Sequence, residues 1–296
     1  MNPDQTENGE DTAQGRDIAC GIAGWSYPDW KGCVYPPGTK DTLRYVAQYV
    51  DVIEINSSFY RPPAPRTTES WVARTADLKS FCFTAKIHQD ITHGRRLEDS
   101  LVSVFREGIT PLVEAGKLRH LLAQFRYDFA HTPATRELLV AVNRAFGDLC
   151  NLVVELRDSS WQAPQAQAFL EELGVTVANL DYPLSRRSFS MRLCPVGRHA
   201  YLRLHGRNSK AWFDKKAGRD ETYNYYYKEN EVADIVRRAL ALRKQSQSVT
   251  VIANNHFEGK EVANALQIKS AVQQKRVPVP PQLADKYPEL ARIRTD

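Results

Sequence analysis

The 296-residue sequence has no apolar run that approaches the roughly 20 residues needed to span a bilayer. Its five cysteines are an odd number at wide spacing, and none forms a CxxC pair, which argues against a disulfide framework or a zinc knuckle. The amino terminus also lacks the basic start and apolar centre of a secretion signal. We therefore expect a cytoplasmic protein with no membrane partner.

Several motifs of well-known enzyme classes are missing as well. The chain contains no GxGxxG or GxxxxGK[ST] phosphate-binding loop, no HExxH zinc motif and no GxSxG nucleophile turn. Glycine-rich nucleotide sites and these two hydrolase classes therefore have no support in the sequence.

Charge is distributed unevenly along the chain. The formal net charge is +5, although Met1–Gly15 holds four acidic residues and no basic one. Subtracting the −4 of this segment leaves +9 on the remainder. A basic body favours anionic partners, such as a small phosphorylated molecule or nucleic acid. We predict that residues 1–16 form a disordered acidic leader.

Apolar, β-rich runs alternate with amphipathic helical patterns from one end of the chain to the other. The predicted strands are Ile18–Ala23, Val50–Asn56, Phe81–Lys86, His120–Phe125, Asn151–Arg157, Val175–Asp181, His199–Gly206 and Val249–Asn255. Helical segments between them include Asp41–Tyr49, Leu97–Ala115, Thr132–Phe146, Pro164–Leu173, Glu229–Lys244 and Lys260–Gln273. Eight alternating strands predict an α/β fold, a TIM-like (β/α)8 barrel, as a single domain over residues 17–276.

Two regions depart from this alternation. The connection from Asp181 to His199 has the composition of a loop with a short extra strand at Ser188–Leu193, so we expect one outer helix to be missing between strands six and seven. Residues 277–296 carry PVPP and mixed charge, and we expect an extended segment and a short helix packed on or near the barrel.

Alternation along each strand separates an apolar face from a polar one. On the second strand, Ile53 and Ile55 share one face, whereas Glu54 and Asn56 share the other. Polar residues gather near the carboxyl ends of the strands, where barrels of this kind place their active sites. These residues are Glu54, Lys86, Gln124, Glu155, Arg157, Asp181, Arg203, His205, Asn254 and Asn255. An internal ion network would explain any one of them. Because each buried ion costs several kcal/mol before pairing, the whole set favours a functional pocket.

The residue types in this pocket allow acid–base chemistry on an anion. Glu54, Glu155 and His205 are candidate acids or bases, and Lys86 is a candidate catalytic residue that could also form a Schiff base if its pKa is lowered. Arg157 and Arg203 would bind the anionic substrate. Isomerase, lyase and phosphodiester hydrolase reactions all stay open.

Ligand-binding candidates complete the predicted site. They comprise polar residues near strand ends and aromatic residues in the loops that follow, namely Trp25, Asn56, Tyr60, His93, Gln124, Asp181, Asn254 and Asn255. His93, His205, Glu54, Glu155 and Asp181 would suit a divalent metal by residue type, but the neighbouring lysine and arginines would repel it. We therefore expect no metal and no other cofactor.

Two other functions stay open. The charge of +9 and the aromatic loops interleaved with basic residues suit a nucleic-acid-binding protein or a nuclease. A barrel of this type can also bind a ligand or a protein partner without catalysis.

Seven short segments between about Ile18 and Leu266 resemble, in this order, the YecE-like proteins, also called domain of unknown function seventy-two. They are GIAGWSYPDWKGCVYP, EINSSFYR, FTAKIHQDITH, LLAQF, VVELRDSSW, YLRLHG and NNHFEG. The resemblance implies a barrel related to the TIM type and no established reaction. It also implies recurrent polar positions at Glu54, Asn56, Lys86, His93, Gln124, Glu155, Arg157, Trp161, Arg203, His205, Asn254 and Asn255, which adds Trp161 to the ligand-binding candidates. The chain departs from the family's pattern at QFRYDF, where a proline-containing turn is common, and at Ala253, where an aromatic residue is usual.

Overall fold

Eight parallel strands pair in the order of the sequence and close into a barrel in the computed structural model, which describes residues 17–295. The strands are β1 (Ile18–Ala23), β2 (Val52–Ile55), β3 (Cys82–Lys86), β4 (Leu118–Gln124), β5 (Asn151–Glu155), β6 (Thr176–Asp181), β7 (Ala200–Leu204) and β8 (Val249–Ala253). β8 closes the sheet against β1, with Ile18 opposite Val249. The predicted TIM-like barrel is confirmed, and each strand lies within two residues of its predicted bounds.

Helices surround the barrel and also lie in its loops. They are α1 (Thr42–Ala47), α2 (Ser57–Tyr60), α3 (Pro65–Arg74), α4 (Gln89–Thr92), α5 (Asp99–Glu114), α6 (Pro133–Phe146), α7 (Pro164–Leu173), α8 (Ser209–Phe213), α9 (Arg219–Thr222), α10 (Glu229–Arg243), α11 (Lys260–Gln273) and α12 (Pro281–Lys286). Short 3-10 helices span Pro28–Trp30, Ser159–Gln162, Phe257–Gly259 and Pro288–Arg292.

Local sequence explains several helix ends. The Thr132 hydroxyl accepts a hydrogen bond from the Thr135 N–H, and Pro133 occupies the first turn of α6, where its missing N–H costs nothing. At the other end of the neighbouring helix, α7 ends at Gly174, which has a φ of 76° that a residue without a side chain adopts easily.

Within residues 17–295, no helix connects β6 to β7, as predicted. The predicted extra strand at Ser188–Leu193 is wrong, because a single bridge pairs Ser188 with Asp158. Backbone N–H groups of this loop donate hydrogen bonds to side chains rather than to a neighbouring strand. Gln162 Oε1 accepts from the Ser190 N–H at 2.8 Å, and Asn179 Oδ1 accepts from the Cys194 N–H at 2.8 Å.

The two faces of the strands have the predicted roles. Ile53, Ile55 and other residues of the outward faces belong to the main core, together with side chains of the surrounding helices. The inward residues Val52, Leu122 and Ile252 fill the barrel interior. Toward the carboxyl ends of the strands, this apolar filling gives way to charged side chains.

The carboxyl-terminal segment packs on the barrel. Val277 donates its N–H to the Ile293 carbonyl at 2.8 Å, and Leu283 and Leu290 are buried in the main core. The predicted acidic leader, residues 1–16, lies outside the described residues. Among the helices of residues 17–295, none is long and apolar enough to cross a membrane.

Candidate functional site

Arg203 on β7 joins the charged side chains inside the barrel into one cluster. Its Nε and Nη2 donate to the two carboxylate oxygens of Glu54 at 3.1 and 2.6 Å. Its Nη1 donates to Glu155 Oε2 at 2.7 Å and to Gln124 Oε1 at 3.0 Å. Arg203 and both glutamates are buried. Such fork-shaped pairing compensates the desolvation of a buried guanidinium and its carboxylates.

Two more side chains donate hydrogen bonds to the carboxylates of Glu54 and Glu155. The Tyr201 hydroxyl donates to Glu54 Oε2 at 2.7 Å, and Arg157 donates to Glu155 Oε1 from Nε at 2.9 Å and from Nη2 at 2.5 Å. Burial raises the pKa of Glu155, but Arg203 and Arg157 outweigh it and hold that pKa well below its usual range. Glu155 is therefore a stable anion that fixes two guanidinium groups in place.

His205 lies beside this cluster as a buried, neutral ring. Burial lowers its pKa to about 3, against the opposing effect of Glu155. The Asn254 side-chain amide lies 3.1 Å from Nδ1, and Nη2 of Arg157 lies 3.3 Å from Nε2. Nε2 lies 3.4 Å from Glu155 Oε1. His205 is therefore held between Asn254 on one ring nitrogen and the Arg157–Glu155 pair on the other.

Lys86 on β3 differs from the arginines. Its Nζ lies 4.1 Å from the centroid of the Phe59 ring, and within residues 17–295 no carboxylate oxygen is within 4.0 Å of it. Burial, followed by the charge of Arg203, lowers the pKa of Lys86 to about 7 against the opposing effects of Glu54 and Glu155. A substantial fraction of this amine is therefore neutral near pH 7.

A cavity of about 430 Å³ lies at the barrel mouth, and we call it the first cavity. It is lined by Gly24, Trp25, Ser26, Tyr27, Asn56, Ser57, Tyr60, Lys86, Gln124, Arg203, Arg219, Tyr223, Asn254 and His256. Lys86, Arg203 and Arg219 are its charged lining residues, and no carboxylate of the described chain lines it. The charged side chains on the surface of the first cavity are therefore all cationic, with the carboxylates of Glu54 and Glu155 behind Arg203.

A larger cavity of about 740 Å³, the second cavity, meets the first at Gln124. It is lined by His93, Gln124, Phe125, Arg126, Tyr127, Asp128, Arg157, Asp158, Tyr182, Ser185, Arg187, Ser188, Trp212, Phe213 and Lys215. Burial lowers the pKa of His93 to about 4, and its Nε2 is buried without a hydrogen-bond partner among the described residues.

The structure brings most of the predicted site residues together. Those that line the first cavity are Trp25, Asn56, Tyr60, Lys86, Gln124, Arg203 and Asn254. His93 and Arg157 line the second cavity. Glu54, Glu155 and His205 lie behind these surfaces in the ion cluster, hydrogen bonded to its other members. Their assignment as acids or bases stays a prediction.

Three predicted positions need correction, because these residues do not reach the mouth. Asp181 points outward and accepts from Arg238 Nη1 at 2.7 Å and from Arg207 Nε at 2.8 Å. Asn255 donates to Asn264 Oδ1 at 2.9 Å on α11. In both cases strand alternation places the preceding residue inward. Trp161 is fully buried and donates from Nε1 to the Phe129 carbonyl at 2.7 Å, so it is a core residue.

Sequence reasoning missed several residues of the site. Tyr201 lies two positions before Arg203 on the same strand face, so alternation alone would have identified it. Arg219 reaches the first cavity from the short helix α9, and Tyr223 and His256 reach it from loops. Their spacing in the sequence carries no signal of that position.

A metal site is not formed by the candidate ligands. Within residues 17–295, no group of three or more His, Cys, Asp or Glu side chains is arranged to hold a metal ion. The candidate metal ligands predicted from the sequence do not meet at one point. Asp181 faces outward, and the carboxylates of Glu54 and Glu155 are paired with a guanidinium group.

The fold and the site together define a (β/α)8 barrel protein with a cation-lined mouth. A model of the family described as "Protein of unknown function DUF72" matches residues 19–288, and the chain belongs to this family. This confirms the resemblance to the YecE-like proteins. The family name specifies no reaction.

Related proteins match most of the length of this chain. The UPF0759 protein YunF of Bacillus subtilis is 28% identical over 269 residues, which cover 85% of this chain and 93% of that protein. The structure of a DUF72 family protein from Thermotoga maritima is 27% identical, with a TM-score of 0.75, and covers 86% of this chain and 99% of that one. A DUF72 family protein from Enterococcus faecalis is 25% identical, with a TM-score of 0.76, and covers 89% of this chain and 98% of that one.

Proposed function

We propose that the chain is an enzyme that acts on a small anionic carbonyl compound, such as an oxo acid or a phosphorylated ketone, through the amine of Lys86. The observation that carries this proposal is the contrast between two neighbouring cations. Arg203 is held by both glutamates, whereas Lys86 lines the first cavity with no carboxylate within 4.0 Å among the described residues. An amine free of a counter-ion and open to a cavity is suited to attack a substrate.

The chemistry requires a neutral amine at physiological pH. Desolvation and a neighbouring cation are the two environments that produce such a lysine, and Lys86 has both in burial and Arg203. Addition of Nζ to a carbonyl carbon, transfer of the two amine protons to the carbonyl oxygen and loss of water give an imine. Some isomerases and lyases react through such an imine, so these classes are favoured over phosphodiester hydrolysis.

The charges of the first cavity support an anionic substrate. Lys86, Arg203 and Arg219 line it without a carboxylate from the described chain, and Arg219 pairs with Asp220 at 2.8 Å outside the lining. A carboxylate or phosphate would bind at such a surface with charge-assisted hydrogen bonds. Glu54 and Glu155 would act as positioning residues that hold the guanidinium groups.

Trapping of the imine tests the proposal directly. The protein is incubated with pyruvate or dihydroxyacetone phosphate and reduced with borohydride, and the modified residue is located by mass spectrometry. Lactate and glycerol 3-phosphate are matched controls, since they keep the anion but lack the carbonyl. We expect an adduct on Lys86 with a carbonyl compound and none in Lys86→Arg, which keeps the charge. Absence of a Lys86 adduct, or equal labelling of surface lysines, would contradict the proposal.

Nucleic-acid binding is a second candidate function. Its support is the basic body of the chain and two aromatic side chains at the mouth, Tyr127 and Phe213, which are 71% and 53% exposed. The expected result is binding of single-stranded or duplex DNA or RNA that weakens steeply as salt is raised. Absence of binding at low salt would rule this function out.

A barrel that binds its ligand without catalysis is the third candidate. It would be favoured if an anion raised the melting temperature of both the wild type and Lys86→Arg while no adduct formed.

We also propose a cytoplasmic location, which is supported by the five cysteines, because all of them are free thiols.

A further inference from the structure

We infer that the second cavity is a separate binding site for an aromatic anion, that is, a flat ring that carries a carboxylate or a phosphate. This site does not depend on the reaction proposed for Lys86. It lies in the part of the mouth formed by the loops after β3, β4, β5, β6 and β7, whereas the first cavity includes the loops after β1 and β2.

The floor of the second cavity combines a fixed guanidinium with aromatic rings. The Arg157 guanidinium carbon lies 5.3 Å from the Trp212 ring centroid and 5.5 Å from that of Tyr182. Glu155 accepts from Nε and Nη2 of Arg157, which holds the plane of the guanidinium in one orientation. Because the guanidinium lies over both rings, it extends their flat surface, and a flat ligand would stack on this combined surface.

The rim adds rings that have little to pack against within the chain. Tyr127 follows β4 and is 71% exposed, and Phe213 ends α8 and is 53% exposed. Both side chains line the same cavity. Exposed aromatic rings around a concave surface are typical of sites that bind a ring or another apolar group.

The charges of the second cavity favour an anion. Four cations line it, namely Arg126, Arg157, Arg187 and Lys215, against the two carboxylates Asp128 and Asp158. Arg187 and Asp158 pair at 2.9 Å and Arg126 and Asp128 at 3.6 Å. Lys215 has no carboxylate within 4.0 Å in the part of the chain that the structure describes. Arg157 is paired with Glu155, so the ligand would place its negative group near Lys215.

Nε2 of His93 lacks a hydrogen-bond partner among the described residues. This atom is buried, and His93 lines the second cavity. Such an unpaired atom is destabilising, and a ligand atom that pairs with it would remove that penalty. His93 therefore adds one directional hydrogen bond to the aromatic and charged contacts.

The missing outer helix explains how the cavity forms. Tyr182, Ser185, Arg187 and Ser188 line it, and all four belong to the loop that replaces a helix between β6 and β7. A regular helix would leave the strand end and pack on the outside of the barrel, whereas this loop stays at the mouth and forms a wall there. This departure from the regular barrel thus serves ligand binding.

Calorimetric titration with phenyl phosphate tests the site. Cyclohexyl phosphate is the matched ligand without a flat ring, inorganic phosphate lacks the ring entirely, and phenol lacks the charge. We expect phenyl phosphate to bind about fivefold to tenfold more tightly than cyclohexyl phosphate, because stacking on aromatic rings distinguishes them. Phosphate and phenol should each bind more weakly than phenyl phosphate.

Variants locate the bound phenyl phosphate. Trp212→Leu should weaken its binding by about fivefold or more, and exposed Lys215→Gln should weaken it without affecting folding. Lys86→Met, in the first cavity, should leave it unchanged. Equal affinity for the two phosphate esters would overturn the inference. So would binding of phenyl phosphate that is lost in Lys86→Met but kept in Trp212→Leu and Lys215→Gln. Neither result depends on whether Lys86 forms an imine, so the two proposals fail separately.

Discussion

The ion cluster inside the barrel and the first cavity above it are made from the same residue types, but their charges are paired differently. In the cluster, Arg203 donates to Glu54, Glu155 and Gln124. In the cavity, Nζ of Lys86 lies 4.1 Å from the centroid of the Phe59 ring and has no carboxylate of the described chain within 4.0 Å. A fully paired charge serves as scaffold, whereas an unpaired one next to a cavity is available for a ligand.

The largest effect should follow from removing the central cation of the cluster. Arg203→Met leaves two buried carboxylates without their main partner, and we expect a loss of about 3–5 kcal/mol in the free energy of unfolding, measured with urea. Arg44→Gln breaks an exposed pair with Asp77 and is the control, with an expected loss of about 0–1 kcal/mol. Equal stability of the two variants would break the comparison between cluster and surface.

A smaller effect should follow from removing one hydrogen bond of the same cluster. Tyr201→Phe deletes the hydroxyl that donates to Glu54 at 2.7 Å in a buried position. Since hydrogen bonds to charged groups contribute about 1.5–3 kcal/mol, we expect a loss of that size in thermal or urea unfolding. Tyr60→Phe, whose ring is 65% exposed, should change stability by less than about 0.5 kcal/mol. A Tyr201→Phe protein as stable as Tyr60→Phe would show that Glu54 does not need this donor.

The pH dependence of stability should distinguish Lys86 from the cluster. Its pKa is lowered from 10.5 to about 7 in the folded protein, so the unfolded chain binds more protons between these values. The burial penalty is fully present below about pH 7 and disappears as the pH approaches 10.5. Wild type should therefore gain stability relative to Lys86→Met across this window, by at most about 1.4 kcal/mol per pH unit.

Urea titrations from pH 6 to 10 measure this difference. Lys86→Arg is the matched control, because a guanidinium stays charged throughout the range. Its stability relative to Lys86→Met should stay constant with pH. A wild type that follows Lys86→Arg at every pH would contradict a lowered pKa for Lys86.

Strand alternation explains how much of the site was predictable. It identified the inward residues Glu54, Lys86 and Arg203, because a period of two and a barrel topology determine which side chains meet at the mouth. The same rule, applied consistently, would have excluded Asp181 and Asn255, which were chosen for their residue type near a strand end.

Other features depend on information that strand patterns lack. Residues Arg219 and His256 reach the first cavity through the path of their loops, and no local pattern determines that path. The pairing of Arg203 with particular carboxylates depends on distances across the barrel, which the sequence does not give. The sequence therefore indicated a charged mouth. It did not indicate that, among the inner cations Lys86, Arg157 and Arg203, Lys86 would be the one without a carboxylate partner in the described chain.

The most direct test of the account is the titration of the Lys86 amine itself. Brief labelling with acetic anhydride at a series of pH values, followed by mass spectrometry, measures the neutral fraction of this lysine in the folded protein and in urea. We expect half-maximal reactivity near pH 7 in the folded protein and near pH 10.5 in the unfolded chain. The same midpoint in both states would contradict it.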